Sequence, residues 1–207
     1  MKTYFFFFIL LFSGSLLAQS SKDFKKEICD YRDEYKAKFL KDQRSPFYGD
    51  EKGLKKLKFF KPNKEFLVEC TFEATPAAKP FEIPTYSGQL KPFKQYGILT
   101  FNVDGKEHQL AVYQNLRLQR LPGFKKNLFL PFKDLTNNES TYGGGRYINL
   151  NTDDLKKTPI LLDFNKCYNP WCAYSDGYNC PIPPKENHLD IAVEAGEKQY
   201  SGKIKHQ

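Results

Sequence analysis

The sequence predicts a mainly β, α+β fold: an antiparallel sandwich or small barrel with an N-terminal amphipathic helix packed on it. Three observations lead there. A stripe of apolar residues at helical spacing comes first, the apolar period then drops to two, and an Asp-Gly pair sits between two alternating runs.

Ahead of the helix stands a segment that reads as a signal peptide, residues 1–18. Lys2 supplies the positive charge, residues 4–12 are unbroken apolar, and Ser13-Gly14-Ser15 breaks the run. Ala18 is the small residue before a cut at Gln19. The apolar core falls well short of the roughly 20 residues a membrane helix requires, and no second long apolar segment follows. Cys29 is too far from the cut to carry a lipid there. The expectation is export to a periplasmic or extracellular space, without a transmembrane segment. Removing 18 of 207 residues leaves 189, one mostly-β domain at 19–207. A chain that long buries roughly 70% of its unfolded surface, enough for a core without staples.

The formal net charge is +8, carried mainly by scattered lysines. For an exported chain this reads as a solvated basic surface drawn weakly to anionic envelope material, not as a nucleic-acid site. Five cysteines, at 29, 70, 167, 172 and 180, leave at least one thiol unpaired and are too few for a disulfide scaffold.

Phe24, Ile28, Tyr31, Tyr35 and Phe39 share one helical face, with Ser20 or Ser21 as cap and Ser45-Pro46 as terminator. Leu54, Leu57 and Phe60 suggest a helical turn next. Phe66, Val68, Cys70, Phe72 and Ala74 then alternate with Leu67, Glu69, Thr71 and Glu73, which makes Cys70 a small buried hydrophobe. Residues 76–80 form a loop, and 81–85 a short extended piece ending at Ser87-Gly88. Leu99, Phe101 and Val103 alternate before Asp104-Gly105, and His108, Leu110 and Val112 after it. Asp-Gly meets the positive φ that a two-residue hairpin turn demands. His108 reads as a sheet histidine. Further strands are expected at 116–121, 127–132, 146–150, 160–164 and 189–193.

Two segments are less generic. One contains Asp134 and the run Thr141-Tyr142-Gly143-Gly144-Gly145-Arg146-Tyr147. The other runs from Asp163-Phe164-Asn165 through Asn169-Pro170-Trp171-Cys172 and Cys180-Pro181-Ile182-Pro183-Pro184 to Ala195-Gly196-Glu197. On these motifs the chain resembles the family designated domain of unknown function 1684, over most of its length and most specifically in its last eighty or so residues. It departs at Asn137-Asn138, where the family commonly has serine-glycine, so that turn is expected to differ. The resemblance implies a shared fold and no established reaction.

Physically, Gly143, Gly144 and Gly145 can bare backbone N–H groups beside the Arg146 guanidinium, an arrangement suited to an anion. The competing reading is a turn into a strand, with Arg146 bonded to Asp134 or Asp163. Nothing marks a nucleotide loop, and no cofactor is implied. Asp163, Asn165, Asn169 and Asn187, with Tyr168, Tyr142 and Tyr174 nearby, suit a polar, aromatic-walled pocket for sugars or other hydroxylated ligands. Equally, asparagines can fasten the long loop after residue 166 by bonding its backbone. Cys172 and Cys180, eight apart, read as a disulfide pinning that loop; free thiols, or metal binding with Cys167 and His188, are the alternatives.

Three functions follow as expectations. The first is a binding module for a small polar or anionic ligand. The second is a hydrolase of envelope material using Asp134, Asp163 or Glu197. The third is an interaction protein without a pocket. Common nucleophile and metalloprotease signatures are absent.

Overall fold

The helical stripe folds as its spacing requires. In the computed structural model, which describes residues 13–206 and side chains from residue 21 onward, α1 runs Ser13–Lys41. The apolar core of the expected signal peptide, 4–12, lies outside the described residues. Phe24, Ile28 and Phe39 are buried, while most of the helix's lysines and acids face solvent. Full burial of a side chain the size of Ile28 stabilises by about 1.5–3 kcal/mol. Ser20 and Ser21 do not cap the helix, because its backbone hydrogen bonding continues upstream of them. No helix among the described residues is long and apolar enough to cross a membrane. The helical turn expected on Leu54, Leu57 and Phe60 lies earlier, as α2 (Glu51–Leu54), capped by Asp50, whose carboxylate accepts from the Gly53 N–H at 2.9 Å.

Seven strands follow: β1 (Leu67–Ala74), β2 (Phe81–Pro84), β3 (Leu90–Val103), β4 (Lys106–Asn115), β5 (Asn127–Phe132), β6 (Arg146–Asn151) and β7 (Ile160–Asp163). They form one antiparallel sheet in the order β6-β5-β4-β3-β1-β7, with β2 beside β1 on the same edge of β3. The sheet curls into a half-barrel against which α1 packs, so the barrel-like expectation holds and there is no second sheet facing it among the described residues. The hairpin turn is the one anticipated: Asp104 has φ +52° and Gly105 φ +76°, with Val103 opposite Lys106.

Alternation puts Val68, Cys70, Leu99, Phe101, Leu110, Val112, Leu128, Leu130 and Ile148 on the inner face, where they form the main core. A β-bulge between Gln95 and Gly97 inverts the parity of β3. Phe93 therefore joins Ala111 and Tyr113 of β4 on the opposite face, in a second small cluster with Ile83. The strand is thus apolar on both sides in turn, and the sheet can be roofed on its outer face as well.

Two expected strands are absent. After β4, the Asn115 side chain accepts from the N–H groups of Arg117 and Leu118, both at 3.0 Å, so residues 116–121 coil into turns. Residues 189–193 form no strand: the Leu189 N–H and the Ile191 carbonyl bond the main chain of Lys133 and Leu135, the backbone bends at 190–191, and Val193 turns to side chains, as described below. At the anticipated point of difference, Asn138 adopts φ +68°, the left-handed region that glycine enters most freely and asparagine next.

Candidate functional site

Arg146 opens β6 and points into the core, where its side chain and that of Asp134 are completely buried. Its Nη2 donates to Asp134 Oδ2 at 2.7 Å and to the Val193 carbonyl at 2.8 Å. Its Nη1 donates to the carbonyls of Ala195, at 2.5 Å, and Glu197, at 3.3 Å. Asp134 Oδ1 accepts from the Thr136 N–H at 2.8 Å and the Val193 N–H at 3.3 Å. At Val193 these bonds stand where a ladder partner was expected, and Val193 and Ala195 sit in the main core. The guanidinium holds the protein's own chain, which is the second of the two readings its sequence allowed. The glycine run serves the same packing. A Cβ on Gly143 would stand 1.8 Å from Asn138 Oδ1, and Gly145, at φ +86°, would bring one within 2.5 Å of the Phe132 carbonyl.

Asn165, Asn169 and Asn187 are also buried, and each binds main chain from elsewhere. A side-chain amide carries the same donor and acceptor pair as a peptide, so it can close a backbone gap. Asn165 accepts from the Asn63 N–H and donates to the Asn63 carbonyl, both at 2.8 Å, while Asp163 Oδ1 accepts from both nitrogens of Asn165 at 3.0 Å. Asn169 donates to the Lys198 carbonyl at 2.8 Å. Asn187 sits where β4 and β5 part: it accepts from the Ala111 N–H at 2.8 Å and donates to the carbonyls of Ala111, at 2.9 Å, and Pro131, at 2.7 Å. Asn187→Ala leaves these groups without partners and is expected to cost about 2 kcal/mol in urea-induced unfolding.

Glu197 is buried beside hydroxyls rather than a cation. Tyr174 donates to its Oε1 at 2.6 Å, and Tyr35 and the Asn169 N–H donate to its Oε2 at 3.1 and 3.0 Å. Burial outweighs these three donors and raises its pKa from 4.5 to about 7. The same burial pushes the Tyr35 and Tyr174 hydroxyls well above their ordinary range. Through Tyr35, the carboxylate ties α1 to the C-terminal segment.

Open space lies elsewhere, on the outer face of β5 and β6. There Phe129 and Tyr147 meet edge to face with ring centroids 4.7 Å apart, and Phe93 stacks on Phe129 at 5.6 Å. The loop after β7 roofs this floor. Its Cys172–Cys180 disulfide closes an eight-residue separation, as expected for that pair, and engages both sulfurs. Trp171 and Tyr178 pack edge to face at 5.1 Å on the roof. Between roof and floor is a cleft of about 750 Å³, edged by the amides of Asn115, Asn127, Asn149 and Asn179. A smaller cleft of about 370 Å³ shares Asn149, Tyr168 and Trp171 with it and reaches Tyr31, Tyr35 and Lys38 on α1.

None of Asp134, Tyr142, Gly143, Gly144, Gly145, Arg146, Asp163, Asn165, Asn169, Tyr174 or Asn187 lines the larger cleft. Tyr142 is half-buried against Tyr86, and Tyr174 is closed over by Phe39, Phe47 and Tyr200. Of the aromatics noted in the sequence, Tyr168 does line it. The residues that reasoning missed, Phe129, Tyr147 and Asn149, carry one signal: they are the outward members of two strands, and two of them are aromatic where a solvated face is usually polar.

Among curated proteins nothing matches this chain. The solution NMR structure of an uncharacterized protein of Haloarcula marismortui is similar, with 29% sequence identity and a TM-score of 0.63, over 87% of this chain and 96% of that one. A family model matches residues 52–198, from α2 through every strand to the segment that Arg146 holds, and the chain belongs to that family, described as Protein of unknown function (DUF1684).

Proposed function

We propose that this protein is a binding module for a hydroxylated small ligand, a carbohydrate, held in the cleft between the outer face of β5–β6 and the disulfide-pinned loop. The supporting observation is the cleft's lining. Aromatic rings stand on floor and roof with four amides at the edges, in a volume of about 750 Å³. Rings pack against the apolar faces of a sugar, and amides pair its hydroxyls through one donor and one acceptor each. The volume falls within the usual range of about 300–1,000 Å³ for ligand sites. The loop that forms the roof is fastened by Asn165, Asn169, Asn187 and the disulfide, which supports a site formed before the ligand arrives.

Export belongs to the same proposal. It rests on Lys2, the apolar run at 4–12 and the small residue at Ala18, and the disulfide suits an oxidising compartment. The hydrolase reading gains less support. Asp134 and Glu197 are both buried away from solvent, and no carboxylate lines the larger cleft.

A thermal-shift screen against oligosaccharides, phosphates and carboxylates tests the proposal. A sugar is expected to raise the melting temperature, by the equivalent of about 2.7 kcal/mol at a hundred times its Kd. Trp171→Ala, which removes part of the roof, is expected to abolish the shift. If no sugar stabilises the wild type, or if the variant responds equally, the carbohydrate reading falls.

A further inference from the structure

The charge around the cleft is one-sided. Its lining contains two cations, Arg44 and Lys91, and neither aspartate nor glutamate. Arg44 is matched by Asp42, with Nη2 2.8 Å from Oδ2. Lys91 is not: among the described residues no carboxylate lies within ion-pair distance of it, and its ammonium donates to the Asn179 carbonyl. It is half-buried near the start of β3, and Arg117 is close enough for the two cations to repel, so burial first and then Arg117 lower its pKa. A desolvated cation beside a second cation is a costly arrangement unless an anion completes it. The shape adds a second constraint. The smaller cleft adjoins it at Asn149, Tyr168 and Trp171 and reaches α1, where Lys38 and Asp42 line it, so a ligand longer than one pocket has a second pocket next to the first.

We propose that the cleft takes an anionic oligosaccharide, with an acidic group of one residue seated on Lys91 and the sugar chain running along the Phe129–Tyr147 floor past Trp171. This deepens the carbohydrate reading and rests on it. Uronate and sulfate-ester groups share the required chemistry: oxygen acceptors bearing negative charge on a sugar ring. Lys91 and Arg117 supply attraction, and the rings and amides supply contact with the rest of the chain.

The test is calorimetric titration of the protein, at low salt, with oligosaccharides in matched pairs. Each pair is a free uronic-acid oligomer and its methyl ester, or a sulfated oligomer and its unsulfated parent, with inorganic phosphate and sulfate as free anions. One acidic member is expected to bind about tenfold more tightly than its neutral partner, the worth of one charge-assisted hydrogen bond. Which pair shows the preference separates carboxylate from sulfate. Lys91→Met should remove that preference, so that acidic and neutral partners bind it alike. Arg117→Gln, at an exposed position, should weaken it without touching the loop that Lys91 holds. Equal binding of acidic and neutral partners overturns this inference and leaves the carbohydrate reading standing. Binding of no oligosaccharide overturns both, and phosphate or sulfate binding as tightly as any oligomer shows an anion site without a sugar track.

Discussion

Arg146→Met is expected to destabilise the protein by about 3–5 kcal/mol, the largest effect of any single substitution considered, because it leaves the buried Asp134 carboxylate without its cation. The loss extends beyond the pair. The carbonyls of Val193, Ala195 and Glu197 lose their donors, so the segment that closes the main core loses its attachment. Natural domains have about 5–15 kcal/mol of stability in total, so this variant stands near the threshold of folding. Urea unfolding followed by circular dichroism measures it. Asp134→Leu combined with Arg146→Met should recover part of the loss, since the cost of an unpaired buried charge exceeds that of removing the pair. If Arg146→Met unfolds at the wild-type midpoint, the buried network does not hold the fold.

The second large effect is a pH dependence. Glu197 has an ordinary pKa of 4.5 when unfolded and about 7 in the folded protein. A group whose pKa folding raises has its full stability below the unfolded value, and stability falls as pH rises toward the folded value. Between about pH 4.5 and 7 the wild type should therefore lose about 3 kcal/mol from this group, and no more above that window. Glu197→Gln cannot ionise, and its amide oxygen can accept from Tyr35 and the Asn169 N–H while the Tyr174 hydroxyl turns to accept from the amide nitrogen. Its stability should be flat across the same window, since acids such as Asp42 and Asp153, held below the ordinary 3.8, act at lower pH and are shared by both proteins. Guanidinium titrations at stepped pH decide the matter. Parallel curves for the two proteins would contradict the assignment.

What the sequence made legible was whatever depends on near neighbours. The stripe from Phe24 to Phe39, the alternation around Cys70 and the Asp104-Gly105 turn are each decided within a few residues, and each forms as read. Asparagine's tendency to bond backbone was visible as well, although its partners were not. The limits are those of distance along the chain. Arg146 meets carbonyls 47 to 51 residues later, and no local pattern says that Val193 will find a guanidinium and a carboxylate rather than a neighbouring strand. The cleft was hidden for a similar reason. Alternation assigns Phe129, Tyr147 and Asn149 to the face away from the core, but a loop arriving some twenty residues after Asn149 decides that this face is roofed. The motifs that stood out as unusual, the glycine run with Arg146 and the asparagines after Asp163, build the support for that roof. They sit behind the open space rather than in it.

The chain contains one tryptophan, and it stands on the roof of the cleft where the smaller cleft adjoins it, so its emission reports on that region. Titrating an oligosaccharide that raises the melting temperature should change Trp171 fluorescence and saturate at the concentration where the thermal shift does. A sugar that stabilises the protein while Trp171 emission stays constant through saturation would place the ligand somewhere else.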